Sequence, residues 1–263
     1  GYFETKVEFY RRYISCVAVI IPKRERVLNL IPIKDVQMTR SRSYVNWMLI
    51  FINILVFAWE LSLPEAALQE FVVKWGVIPG VITNYRNLPP EVLVQTGGIL
   101  SLFTSLFIHV GWVHLVGNML YLYIFGDNIE DILGHFRYLF FYLAVGVCAS
   151  ITHVIFDATS LVPMVGASGA IAGVMGAYFV NFPGARVIAL VPIGCLLPVV
   201  ELPALVFLLV WFATNFMSGV ASIGVQAQGG VAFWAHVGGF VIGMFLSIIL
   251  KRTNLRSSPT TDA

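Results

Sequence analysis

Phe136-Arg-Tyr-Leu-Phe-Phe-Tyr-Leu-Ala-Val-Gly-Val-Cys-Ala-Ser-Ile-Thr-His-Val-Ile-Phe156 carries one formal charge, at its second residue, and is apolar or weakly polar from there to its end. At a helical rise of about 1.5 Å per residue, this stretch is long enough to cross the roughly 30 Å of hydrocarbon in a bilayer. The whole chain shares its texture. The 263 residues are 58% hydrophobic and 11% charged, with a mean hydropathy of +0.84, far from the mix expected of a soluble globular domain. The lipid bilayer is the expected solvent, and the fold class is all-α and polytopic.

Working outward, comparable apolar stretches run over 45–63, 113–125, 168–182, 202–217 and 231–250, which with 136–156 makes six expected spans. Residues 99–112 are apolar too and read as an interfacial or re-entrant lead into the second span. The fourth span is short and rich in Gly and Ala, which suits a helix surrounded by other helices. Residues 187–200 are apolar but short and hold Pro192 and Pro198, so they read as an interfacial segment.

The basic residues then set the orientation. With six spans and an inside N-terminus, fourteen Lys or Arg lie inside and only Lys74 and Arg86 outside, as the positive-inside rule requires. The expected organisation is a basic cytoplasmic tail over 1–44, a six-helix membrane domain over 45–252, and a polar, disordered tail over 253–263. Residues 14–21 are apolar but short and lead into Pro22 and Lys23, so they do not read as a cleavable signal. Cys16, Cys148 and Cys195 are scattered without ligand spacing and read as free thiols. A net charge of +2, placed in this way, gives no reason to expect a nucleic-acid partner.

Polar groups at membrane depth are costly and mark function by default. His114 and Asn118 are four apart and share one helix face, with His109 shortly before them. Ser168 opens the fourth span within Gly166-Ala-Ser-Gly169, and His236 lies early in the sixth. All fall toward the outer ends of their helices, so three spans deliver Ser, His, His and Asn to one depth. A serine hydroxyl becomes a nucleophile beside a base, and imidazole is well suited to take and return its proton. Asn118, His114 and the Ser168 N–H suit the stabilisation of an oxyanion. Asp157, Glu201 and Asp127 are poorly placed as a third member, so the expectation is a dyad whose histidine is oriented by packing. Gly169, Gly173 and Gly176 facing Ala235, Gly239 and Gly243 predict close contact of the fourth and sixth helices.

These motifs resemble those of the rhomboid family: Gly166-Ala-Ser-Gly169; Ala235-His-Val-Gly-Gly239 continuing to Gly243; and His109 with His114 and Asn118. The resemblance runs over about 31–251, including Trp75-Gly-Val-Ile-Pro79, Gly126, Glu130, Gly134 and Arg137. It implies an intramembrane serine endopeptidase that cuts in or near the transmembrane segments of membrane-protein substrates, without metal or cofactor. Ser168 matches the nucleophile, His236 the base, and His114 with Asn118 the oxyanion donors; His109 matches a position that supports the fold. Many family members carry an aromatic residue four positions after the serine, where this chain has Ala172. The leader over 1–30 lies outside the resemblance, and its lack of an initiating Met leaves open a fragment or an upstream extension. The family's compact six-span form implies a bacterial plasma-membrane protein with both termini cytoplasmic.

Rival readings are weaker. A metalloprotease would need spacing such as H-E-x-x-H, which is absent, although His109, His114 and His236 are in principle zinc ligands. A proton-coupled transporter would show more membrane carboxylates and a repeat. An inactive relative that binds membrane helices without cutting them is the main alternative, but it usually implies loss of Ser or His.

Overall fold

The computed structural model describes residues 30–37, 39, 41–88, 90–191, 198–223 and 231–256. Strand β1 (Ile31–Asp35) leads into helices α1 (Tyr44–Glu60) and α2 (Glu65–Trp75). Helices α3 (Trp112–Leu133), α4 (His135–Phe156) and α5 (Ser168–Asn181) follow. Strands β2 (Arg186–Leu190) and β3 (Val199–Pro203) come next, before helices α6 (Ala204–Ser222) and α7 (Phe233–Arg256). Pro64 stands at the start of α2, a position where a missing N–H costs nothing. Only Gly134, at φ +78°, separates α3 from α4; glycine reaches that backbone conformation without steric cost.

Among the described residues, α4, α6 and α7 are each long and apolar enough to cross a membrane. A fourth span is added if the helical turns over Gly98–Phe107 are joined to α3, from which they bend by 77°. That bent lead corresponds to the interfacial or re-entrant reading of 99–112. The six expected spans therefore divide: α1, with 17 residues, and α5, with 14, are shorter than the others.

α3 runs further than the expected 113–125, through Asp127, Glu130 and Asp131 to Leu133. The helix tolerates these acids because neighbouring groups receive them. Glu130 accepts the backbone N–H groups of Val45 and Asn46 at 2.9 and 2.7 Å, and pairs with His135 Nδ1 at 2.5 Å. It thereby satisfies donors that the first turn of α1 leaves open. The Asn46 amide donates to the Leu122 carbonyl at 3.0 Å and accepts from Tyr138 at 2.8 Å. Asp131 accepts the Ser41 backbone N–H at 2.9 Å.

The three strands depart from the sequence reading. Ile31–Asp35, inside the stretch read as a basic tail, pairs antiparallel with β2, and β2 pairs antiparallel with β3. The apolar stretch over 187–200 contributes β2 and the start of β3, with residues 192–197 outside the described set. β2 buries Val187 and Ala189 on one face and exposes Arg186 on the other, where Arg186 pairs with Glu201 at 3.2 Å, the alternation of a half-buried strand. Asp35, at the end of β1, is buried and accepts from Asn128 and Tyr178, each at 2.8 Å. Burial pushes its carboxyl above the ordinary range, and those two hydrogen bonds pull the other way.

The core is centred on Phe125, Tyr138, Tyr142, Tyr178 and Phe207, all fully buried. α5 runs through it against α7. A Cβ on Gly239 would strike the Gly169 carbonyl, one on Gly243 the Gly173 backbone, and one on Gly176 the Phe240 carbonyl. No side chain fits in that contact, so the small-residue rows set the distance between the helices. Cys148, on α4, is a free thiol; Cys16 and Cys195 lie outside the described residues, as do the leader over 1–29 and the end of the polar tail.

Candidate active site

At the end of the bundle opposite Glu130, Ser168 is the first residue of α5, while His236 lies near the start of α7. The glycine contacts just described bring these helices close enough for side chains at their ends to meet. His236 Nε2 lies 2.7 Å from Ser168 Oγ. Ser168 is half-buried, so its hydroxyl is reachable, whereas His236 is buried. That combination suits a nucleophile that must meet a substrate and a base that must be held still.

The loop entering α5 forms one wall. Gly166 has φ +122°, and a Cβ there would lie 2.6 Å from His114 Cε1 and Nε2 and 3.6 Å from Asn118 Nδ2. The imidazole of His114 and the amide of Asn118, both from α3, therefore press against the backbone just before Ser168. Glycine is required twice over, by its backbone conformation and by the space the His114 ring occupies. The Gly166 N–H donates to the Ser105 carbonyl at 2.8 Å, and Val77 and Met164 bridge through paired backbone bonds of 2.9 and 2.7 Å. The bent Gly98–Phe107 segment thus anchors this loop.

His109 stands behind Asn118. The Asn118 amide donates to His109 Nε2 at 2.9 Å, and the His109 ring lies 5.0 Å from that of His114. The His109 backbone N–H is held 3.3 Å from both carboxylate oxygens of the buried Glu60. His109 therefore contacts Asn118 and not Ser168. Among the described residues no cluster of three or more His, Cys, Asp or Glu side chains is arranged to hold a metal ion.

The structure brings all four expected site residues to one end of the bundle, and adds a fifth that sequence reasoning missed. His236 Nδ1 lies 2.7 Å from Asn215 Oδ1, on α6. Trp211, one turn earlier on the same helix, places its ring 5.7 Å from the imidazole at a 35° tilt. The expectation that packing alone orients His236 is corrected here: a side-chain hydrogen bond holds its far nitrogen. The missed signal was an amide in the middle of an otherwise apolar helix.

Comparison with known proteins identifies the family. Residues 96–253 match the Rhomboid domain. The chain is 32% identical over 189 residues to the Rhomboid protease GluP of Bacillus subtilis, covering 70% of this chain and 33% of that protein. It is 30% identical over 193 residues to the mouse Rhomboid-related protein 2, covering 70% of this chain and 60% of that protein. It is 29% identical over 187 residues to the zebrafish mitochondrial Presenilin-associated rhomboid-like protein A, covering 68% of this chain and 41% of that one. The chain thus spans between about a third and three fifths of the length of these relatives. With the Rhomboid domain matched over more than half of its residues, the chain is a mostly helical, polytopic membrane protein that belongs to the rhomboid family.

Proposed function

We propose that the protein is a serine endopeptidase that hydrolyses peptide bonds in or beside the transmembrane segments of other membrane proteins. The observation that carries this reading is the 2.7 Å contact of Ser168 Oγ with His236 Nε2, facing the wall made by His114 and Asn118 at Gly166. As a substrate carbonyl approaches, His236 takes the Ser168 proton and Oγ bonds to the carbonyl carbon. The carbonyl oxygen becomes an oxyanion, received by the Asn118 amide and a His114 N–H. His236 returns its proton to the leaving amine, and the acyl group stays on Ser168. A water molecule, deprotonated by His236, then releases the acid and restores the serine. A membrane helix is a poor substrate while its carbonyls are hydrogen-bonded within the helix, so the scissile segment must unwind locally to enter.

Six crossings by α1, α3, α4, α5, α6 and α7 fit this chemistry, with α5 enclosed by its neighbours. The fourteen-to-two distribution of Lys and Arg supports both termini facing the cytoplasm, with the site toward the outer face of the membrane, and the compact six-span form suits a bacterial plasma membrane.

The test is labelling of the purified protein, in detergent or liposomes, by a fluorophosphonate probe, read by intact mass. Wild type should gain one adduct, and Ser168→Ala and His236→Ala none. Turnover of a single-span substrate by Ser168→Ala should fall on the order of 10⁶-fold, as when a catalytic serine is removed elsewhere, with the thermal midpoint held. No adduct on folded wild type would favour the helix-binding alternative instead.

A further inference from the structure

We propose that Asn215 is a positioning residue of this site, selecting the imidazole tautomer of His236 that can accept the Ser168 proton; the proposal rests on the reading of Ser168 and His236 as nucleophile and base. An amide's two ends look alike in shape, so its orientation must be decided by its partners. Asn215 Nδ2 lies 2.8 Å from the Trp211 carbonyl, one turn back on α6. The reverse orientation would set carbonyl oxygen against carbonyl oxygen with no proton between them. Nδ2 therefore donates to Trp211, and Oδ1 is the atom that faces His236 Nδ1 at 2.7 Å.

An amide oxygen can only accept. His236 Nδ1 must carry the proton, which leaves a lone pair on Nε2, the atom 2.7 Å from Ser168 Oγ. The bonds then run in one direction: Ser168 O–H to Nε2, Nδ1–H to Asn215, and Asn215 N–H to the Trp211 carbonyl. A neutral imidazole without this partner divides between two tautomers, and the one protonated at Nε2 cannot take the serine proton. When Nε2 does take it, Nδ1–H is still donated to Oδ1, so the imidazolium keeps a hydrogen-bond partner in a buried setting.

The ring support comes from the same helix. Trp211 flanks the imidazole, whereas the buried position one turn after Ser168 on α5 is Ala172, which presents only a methyl group. α6 thus supplies both the ring contact and the tautomer lock. Among the described residues, the titratable groups in electrostatic reach of His236 are His114 on α3 and His153 on α4; neither Asn215 nor Trp211 titrates, so the lock adds no charge.

The experiment joins kinetics to the ¹⁵N spectrum of histidine-labelled protein. Wild type should show His236 protonated at Nδ1 when neutral, and Asn215→Ala should show a tautomer mixture. Its kcat should drop by at least about 10- to 100-fold, the range found when the outer hydrogen-bond partner of a metal-bound histidine is removed. KM and the thermal midpoint should hold. Asn215→Asp should recover most of the rate while moving the acid limb of the rate–pH profile to higher pH, because an anion beside Nδ1 favours the imidazolium. Wild-type kcat and an unchanged spectrum in Asn215→Ala would overturn the proposal, as would a wild-type spectrum with the proton on Nε2, which decides the matter even if the variant fails to fold. A wild type that neither labels nor cleaves would instead overturn the protease reading, and the tautomer would still be read from the spectrum.

Discussion

The two ends of the helix bundle are both polar inside, yet they use their polar groups in opposite ways. At one end, Glu130, Asn46 and Tyr138 form one hydrogen-bonded cluster and Asp35, Asn128 and Tyr178 a second, and each named side chain serves another element. At the other, Ser105 Oγ, His109 Nδ1 and His153 Nδ1 are buried without a hydrogen-bond partner, as are Asn53 Oδ1 and Tyr142 Oη within the helices between the two ends, and Ser168 and His114 keep part of their surface open. A fully satisfied network rigidifies; spare donors and acceptors are an energetic cost that a structure retains where something else is to be bound. The closed end holds α1, β1, α3, α4 and α5 in place so that the open end can present its groups without rearrangement.

Substitutions that separate stability from chemistry test this contrast. The largest effect is expected from Glu130→Ala. It orphans the buried Asn46 N–H at the start of α1, a loss of about 1–3 kcal/mol, together with the half-buried Val45 N–H, and also removes the partner of His135. Unfolding titrations in mixed micelles should show that loss, while the rate per folded molecule stays near wild type. A large fall in rate with unchanged stability would erase the distinction between the ends. Asn118→Ala should do the reverse. Cleavage should fall by about 10²–10³-fold, the cost of losing one oxyanion donor, but remain above that of Ser168→Ala because His114 is still in place. Stability should change little beyond the lost bond to His109. Comparing initial rates of the two variants at matched folded fractions decides between them.

The same contrast explains what the sequence made legible. Ser168, His236, His114 and Asn118 stood out because each is polar within an apolar run, and their spacing placed them at one depth. Asn215 obeys the same rule, but it belongs to no motif and its partner is twenty-one residues away, so only the packing of α6 on α7 reveals its role. The Gly-rich faces of α5 and α7 were readable because close helix contact needs small residues. β1 was hidden in a basic stretch, and β2 in an apolar one that held prolines; a strand is recognised by its partner, and these partners are about 150 residues apart in sequence. The extension of α3 past Phe125 was hidden because Asp127, Glu130 and Asp131 look like a helix end until the N–H groups that donate to them are seen.

The smallest expected effect probes the closed end through its one carboxyl at the end of β1. Asp35 accepts from both Asn128 and Tyr178 through the same oxygen, a role an amide oxygen can also fill, so Asp35→Asn should leave the network intact. What it removes is the titration. Burial raises the folded-state carboxyl above its ordinary value, so over the window from that value upward the folded protein binds more protons than the unfolded one. Stability from this group is therefore fully present below the ordinary carboxylate range and declines as pH rises through the raised value. In Asp35→Asn that decline should vanish, leaving a flatter dependence of the thermal midpoint on pH between acid and neutral conditions, with neutral-pH stability equal to or above wild type. A steeper dependence, or a loss at neutral pH comparable to that of Glu130→Ala, would mean that the charge of Asp35 holds β1 against the bundle, and that the closed end is stabilised by ionisation as well as by hydrogen-bond saturation.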